Sequence, residues 1–255
     1  MMSLNLQSAV VPVTGAASGI GLAICKRLHA EGATPLLLDF DEPKLQSAVQ
    51  EVYGASAAGT THPPKGYLLD VRSSQAVNDC FARIHDEHGG ITHAVSNAGR
   101  AGAAHILDIT DQQWRDVLDV NLDGTVYFCR AAARQLAERK GGAIVNLASI
   151  AGFGAKESRV AYNSSKAAVV NMTRALALDL GPLGIRVNAV APGIIDTPMQ
   201  QINGPRPGIL ERTALKRTGT PDEMAKVVLF LLSDMASYVT GETIIADGGI
   251  TCRYC

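Results

Sequence analysis

Tyr162 and Lys166 stand four residues apart in the stretch AYNSSKAAV, which reads as helical. On a helix, side chains four positions apart share one face. A free tyrosine titrates near ~10 and is a poor proton donor or acceptor at neutral pH. A neighbouring ammonium favours the phenolate and draws the phenol toward the working range of an acid–base catalyst. The chemistry open to this pair is proton transfer. A core tyrosine beside a surface lysine would give the same spacing, so the elements around the pair have to decide.

Short apolar runs alternate with longer amphipathic ones along most of the chain. Residues 9–13, 33–39, 66–71, 91–96, 143–149 and 185–191 are almost continuously apolar, the pattern of strands covered on both faces, and GETIIADGG supplies a final strand. The intervening segments have helical periodicity and several end at glycine. The two longest are read as helices over 110–138 and 161–180, the second apolar around much of its circumference. Thr110 with Gln113, and Thr220 with Pro221 and Glu223, mark helix starts with capping boxes. This alternation predicts an α/β fold with a doubly wound parallel sheet and right-handed crossovers. No linker, repeat or charge block interrupts it, so residues 1–255 are expected to form a single domain. The proline- and glycine-rich segment at about 198–218 reads as a loop or lid with one short helix.

The totals exclude several classes. With 47% hydrophobic residues the chain can bury a large core. A net charge of −1 and a pI near 6.6 argue against a nucleic-acid binder or a basic membrane-surface protein. There is no basic start followed by an apolar stretch, and no run of about 18 apolar residues, so a soluble cytoplasmic protein is expected. Five scattered cysteines make no disulfide framework, and the C-terminal CRYC has no second ligand pair. The histidines form no metal pattern; His85 and His88 fit a solvated helix end before Gly89. No metal is expected.

VPVTGAASGIGLAICKRL places Gly15, Gly19 and Gly21 after the first strand and at the opening of the first helix. Glycines there let the backbone turn tightly and approach a pyrophosphate, whose charge faces the helix N-terminal amides. Asp39 closes the second strand, where a carboxylate accepts hydrogen bonds from an adenosine ribose and repels a 2′-phosphate. Ser18 supplies no positive charge and neither Phe40 nor Asp41 could bind a phosphate, which favours NAD(H) over NADP(H). Asp41 fits the N-cap of the next helix better than Asp39 does. Asp70, at the end of strand three, could meet the adenine amino group.

These residues together resemble the short-chain dehydrogenases/reductases over nearly the whole chain. TGAASGIG, including Ile20, is similar to the family's cofactor loop, and Asp70-Val71 to its adenine contact. SNAG resembles an Asn-Asn-Ala-Gly segment after strand four, with Ser96 replacing its first letter and Asn97, Ala98 and Gly99 retained. VNLDG carries Asn121, NLAS carries Ser149, and YNSSK carries Tyr162 and Lys166; DGG at 247–249 resembles the family's C-terminal end. APGIIDTPM resembles the segment after strand six, whose Pro192, Gly193, Ile195 and Thr197 would border the nicotinamide. The resemblance implies a Rossmann-type, mainly parallel seven-stranded sheet. It further implies that Tyr162 is the general acid or base, and that Lys166 binds the nicotinamide ribose and holds the phenol's pKa down. Ser149 would donate to the substrate oxygen. Asn121 would bend its long helix and hold a water relaying protons toward Lys166.

The substrate is expected between the segment after strand six and the lid. Candidate lining residues are Ile150, Ala151, Phe153, Glu157 and Arg159, with Ile194, Met199 and Ile202. Glu157 would select a cationic substrate and Arg159 an anionic one, although both are expected to point to solvent. The small residues Ala101 to Ala104 form a further candidate wall. The leading reading is an NAD-dependent oxidoreductase acting on a secondary alcohol or ketone, assembled by resemblance as a homotetramer through the two long helices and the last strand. A 3-oxoacyl-thioester reductase, a non-catalytic NAD-sensing protein and a sugar-nucleotide epimerase are the alternatives. Asp39 and Ser18 weigh against the first, the intact Asn121, Ser149, Tyr162 and Lys166 against the second, and the glycine spacing against the third.

Overall fold

Strands β1 (Val10–Thr14), β2 (Thr34–Asp39), β3 (Gly66–Leu68), β4 (His93–Ser96), β5 (Gly142–Leu147), β6 (Ile185–Pro192) and β7 (Thr243–Ala246) form one sheet in the order 3-2-1-4-5-6-7. Every pairing is parallel. This is the Rossmann-type doubly wound sheet expected from the sequence. The computed structural model describes residues 4–54, 66–202 and 208–252. The strands are buried because helices cover both faces. On one side α1 (Gly19–Ala30), α2 (Glu42–Tyr53) and α9 (Pro221–Leu232) pack over Val11, Val13, Leu37 and Val145. On the other, α3 (Ser74–His88), α5 (Gly124–Arg139) and α6 (Val160–Leu180) cover Leu36, Leu38, Ile144 and Val187.

The order reverses between β1 and β4, and a parallel sheet binds ligands outside the carboxyl ends of its strands at such a point. Pairing is thin there. Val10 donates toward Thr92, just ahead of β4, and donors alternate sides along a strand, so Pro12 removes the next donor on that side. The β1–β4 register is a single pair, Val13 with Val95.

Three expectations need correction. The segment 110–138 is not one helix: α4 (Asp111–Leu118) and α5 are joined by a π-helical turn, Asp119–Asp123, which accommodates one extra residue per turn and carries Asn121. Strand three ends at Leu68, so Asp70 lies beyond it. The segment after β6 holds two short helices, α7 (Pro198–Ile202) and α8 (Ile209–Arg212), rather than one. Both capping boxes are present, and Asp41 caps α2. Helix α6 buries one stripe, from Ala161 through Ser165, Val169 and Thr173 to Ala177, and leaves Leu178 on the opposite side 80% exposed.

The amino-terminal edge of the sheet is closed by Arg186 of β6. Its guanidinium donates to the carbonyls of Leu231, Leu232 and Ser233 at 2.7–3.1 Å, meeting orphan acceptors at the end of α9. Nearby, burial lowers the pKa of His93 from 6.5 to about 4, and the charges of Arg186 and Arg139 push the same way. The unfolded chain therefore takes up a proton near 6.5 that the folded chain refuses until about 4. Stability should fall as pH drops through that window, by up to about 3 kcal/mol. Urea denaturation across the window is the check: His93→Gln should lose less stability than the wild type, and equal losses would assign the effect to other groups.

Candidate active site

The glycine loop forms because the chain must reverse between β1 and α1 in very little space. Gly15 and Gly19 adopt φ of +63° and +54°. At Gly21 a Cβ would sit 2.2 Å from the Gly15 carbonyl oxygen, so only glycine lets α1 start this close to the loop. Ser18 occupies the N-cap without a side-chain capping bond, and the first turn holds no acidic residue, so the helix amides and dipole face outward unneutralised. This cradle fits a pyrophosphate. Asp39 fits the adenosine end: it is 9% exposed, and the backbone amides of Ala17 and Asp41 donate to its two oxygens at 3.0 and 3.1 Å. Those bonds aim a fixed negative charge at the loop's mouth, beside Phe40, which is largely exposed. Asp70 differs from expectation. Its carboxylate is held by the Arg72 guanidinium and main-chain amide, and the hydrogen bond from the Arg72 side chain keeps its pKa below the usual carboxylate value. An adenine amino group would compete with that ion pair. Val71, beside it, is buried against α3 and α5.

The exit of β4 is tied to β1 through Thr14. Its hydroxyl accepts from the amides of Asn97 and Ala98 at 2.9 and 3.0 Å, while Asn97 Nδ2 donates to the Thr14 and Gly15 carbonyls. Gly99 follows, in a position where a Cβ would lie 3.7 Å from Lys166 Nζ.

Lys166, Tyr162, Ser149 and Asn121 converge at the carboxyl end of β5. Lys166 is buried and its Nζ donates to the Leu147 carbonyl at 2.7 Å. Burial alone drives its pKa down to about 8. The ammonium lies 6.0 Å from the centroid of the Tyr162 ring, confirming that the two share a face of α6. Ser149 sits just past β5, and its Oγ accepts from the Ala151 amide at 3.2 Å, leaving the hydroxyl hydrogen to point elsewhere. Asn121 lies in the π turn, and both ends of its side chain are engaged: Oδ1 accepts from the Arg100 amide, and Nδ2 donates to the Arg100 carbonyl and Ser165 Oγ, at 2.7–3.0 Å. Its main-chain carbonyl accepts from Thr125 Oγ1 and keeps a second lone pair.

Pro192, the last residue of β6, is buried. Gly193 approaches Asp247 so closely that a Cβ would lie 2.7 Å from its Cα. The Ile195 side chain is packed into the core, so only its main chain can border a ligand, whereas Thr197 lies against Gly19. Ile194 is half-buried and Met199 exposed; the side chain of Ile202 falls outside the described residues. Ile150 and Ala151 are half-buried beside Ser149, and Phe153 and Glu157 are exposed. Arg159 was expected to point to solvent. It is half-buried and lines a cleft of about 200 Å³ with Arg100, Ala101 to Ala104 and Asp116.

A family model described as Enoyl-(Acyl carrier protein) reductase matches residues 15–251. A 3-oxoacyl-(acyl-carrier-protein) reductase of Aquifex aeolicus is 35% identical over 98% of this chain and 100% of its own. A galactitol 2-dehydrogenase (L-tagatose-forming) of Cereibacter sphaeroides is 39% identical over 97% and 96%. The crystal structure of a short-chain type dehydrogenase/reductase from Mycobacterium marinum is 32% identical, with a TM-score of 0.91 and 98% of each chain covered. The chain belongs to the short-chain dehydrogenase/reductase family. As a short-chain dehydrogenase/reductase it is an oxidoreductase of CH–OH and carbonyl groups that works with a nicotinamide cofactor.

Sequence reasoning passed over two hydroxyls of this short-chain dehydrogenase/reductase. Thr14 stood in the quoted glycine motif but carried no role, and Ser165 lies inside YNSSK, where its Oγ links Asn121 to the Tyr162 carbonyl. No helix among the described residues is long and apolar enough to cross a membrane. They contain no metal-binding cluster either.

The pKa of Lys166 sets a second pH test. An unfolded lysine keeps its proton to about 10.5, so between 8 and 10.5 the unfolded chain binds more protons and stability rises with pH, by about 3 kcal/mol in total. Lys166→Met removes that slope. The unfolding free energy of the wild type should gain on that of the variant across this window; a constant difference would show that water reaches the ammonium.

Proposed function

We propose that this chain is an NAD(H)-dependent oxidoreductase that interconverts a secondary alcohol and its ketone. The observation that carries the reading is the convergence of Ser149, Tyr162 and a buried Lys166 ammonium beside Gly99, next to the glycine cradle. The nicotinamide, when bound, gives or receives the hydride. The chain's own residues do the rest. Ser149 Oγ, with its acceptor side occupied by the Ala151 amide, donates to the substrate oxygen and orients it. The Tyr162 hydroxyl gives that oxygen a proton in reduction and removes one in oxidation. The Lys166 charge stabilises the phenolate that is left, and its ammonium would also hold the nicotinamide ribose.

Asp39 supports NAD(H). A 2′-phosphate placed against it would meet a carboxylate fixed by two amides, while Lys44 and Arg72 are paired with Asp41 and Asp70. A cytoplasmic location is consistent with the free thiols Cys25, Cys80, Cys129 and Cys252. The exposed side of α6, with Ala167, Ala175 and Leu178, together with the sheet edge at β7, supports a homotetramer. A second reading, a 3-oxoacyl-thioester reductase, draws on similarity to the Aquifex aeolicus enzyme and on exposed Phe153, Met199 and Leu210 in the segments after β5 and β6.

The test is oxidation of NADH by the pure protein with a panel of ketones and 3-oxoacyl thioesters. Tyr162→Phe should lower kcat by about 100-fold or more and leave NADH affinity within a few-fold. Persisting turnover in that variant would overturn the mechanism. Asp39→Ser should reduce the preference for NADH over NADPH by about tenfold or more; unchanged selectivity would place the discrimination elsewhere. Faster use of the thioesters than of any simple ketone would favour the second reading.

A further inference from the structure

We propose that Asp247 is a positioning residue for the substrate: the turn it closes after β7 fastens both ends of the segment that leaves β6 beside Ser149. The inference rests on the oxidoreductase reading and adds to it a residue, outside the reacting groups, that sets how closely this segment lies on the substrate.

The turn is built around one carboxylate. Asp247 Oδ1 accepts from the Gly249 amide at 2.8 Å, and Oδ2 accepts from the Thr251 amide and hydroxyl at 2.9 and 2.7 Å. An aspartate that accepts from the backbone just ahead of it closes a turn, and an ionised acceptor makes such bonds stronger than neutral ones. Gly248 and Gly249 hold φ of +65° and +80°, a region that glycine enters without strain.

The segment sets out from the reacting groups. Ala148, the residue before Ser149, donates its amide to the Val190 carbonyl of β6 at 2.8 Å, so the chain leaving β6 departs beside the serine. It then crosses to the glycine cradle, where a Cβ on Gly19 would lie 3.4 Å from Thr197 Cγ2, and α7 and α8 follow. A substrate oxygen held by Ser149 and Tyr162 lies next to this departure.

Both ends of the segment meet the Asp247 turn. At the near end, Gly193 donates to the Ala246 carbonyl at 3.1 Å, and a Cβ on Gly193 would lie 2.7 Å from the Asp247 Cα. At the far end, Leu215 donates to the Gly248 carbonyl at 3.1 Å. A Cβ on Gly248 would lie 2.9 Å from Thr213 Cγ2, and one on Gly249 2.8 Å from the Ala214 Cβ. Thr213 is buried and its hydroxyl donates to the Ile209 carbonyl at 2.9 Å, which carries the contact on into α8. The near end has a further tie, because Gly219 donates to Ile194 and Asp196 donates to Gly219, both at 2.9 Å. Releasing the turn therefore frees the far end first and leaves Thr197 on the cradle.

The experiment combines hydrogen–deuterium exchange of the full chain with steady-state kinetics on the fastest ketone or 3-oxoacyl thioester of the panel above. In Asp247→Ala the amides of Thr213 and Leu215 should exchange at least about tenfold faster. KM should rise by about tenfold or more, while kcat, its pH dependence and NADH affinity stay within a few-fold. Thr251→Val, at an exposed side chain, removes one of the bonds and should move both readings the same way by less; Asp247→Asn, which keeps one oxygen, should fall between wild type and Asp247→Ala. A residue that serves folding alone would lower thermal stability and leave the KM of the folded enzyme where it was. Unchanged exchange at 213–215 would overturn the clip, and faster exchange with an unchanged KM would overturn the positioning role. If Asp247→Ala does not fold, Thr251→Val decides by the same two readings. Either negative result beside normal wild-type turnover leaves the oxidoreductase reading intact. A wild type that turns over nothing in the panel overturns that reading and, with it, the role of Asp247 toward a substrate.

Discussion

Asn121 is fully buried in a π-helical turn, and its amide group satisfies both the N–H and the C=O of Arg100 while donating to Ser165. Three chain segments far apart in sequence meet at that one side chain: the exit of β4, the junction of α4 and α5, and the first turns of α6. A buried amide with all its donors and its acceptor used cannot be replaced by an apolar group without leaving several polar partners unpaired, each costing about 1–3 kcal/mol. The extra residue of the π turn is what brings the amide into register with both partners. A regular helix through 119–123 would rotate it away from one of them. The spatial relation between Gly99 and Lys166, and between Tyr162 and Ser149, depends on this clamp.

Much of this was legible in the sequence, for identifiable reasons. Strands covered on both faces must be apolar throughout, so residues 143–149 and 185–191 announce themselves without a structure. A glycine loop between strand and helix is required by space, as the 2.2 Å approach at Gly21 shows. The i, i+4 spacing places Tyr162 and Lys166 together on any helix. What stayed hidden depends on contacts between elements or on a single torsion. The π turn leaves helical periodicity almost intact on either side, so 110–138 reads as one helix. Asp70 is claimed by Arg72, two residues on, and nothing in the residue types tells a neighbour's ion pair from an open carboxylate. Ser158 has a positive φ just before α6, which no composition or period reveals. Thr14 and Ser165 are common residues whose importance lies only in what they touch.

The two edges of the sheet answer to different demands. At the amino-terminal edge Arg186 meets the loose carbonyls at the end of α9, and its geometry contributes to holding the fold together. At the carboxyl edge the chain accepts features that cost stability. Lys166 is kept protonated near neutral pH although burial disfavours its charge, and its Nζ donates to the Leu147 carbonyl. The N-termini of α1 and α6 lack side-chain caps, as do those of α5, which continues the π turn, and the short α8, whereas α2, α3, α4 and α9 have them. A cap is worth about 1 kcal/mol, so leaving α1 and α6 without one forgoes stability that the capped helices take. The starts of α1 and α6 both lie at the carboxyl edge, one at the glycine cradle and one in the turn before Tyr162. An uncapped, acid-free first turn presents free amides and a positive field. At the glycine cradle that field faces the place where a pyrophosphate would lie, so the stability forgone at α1 is matched to the charge the loop has to hold.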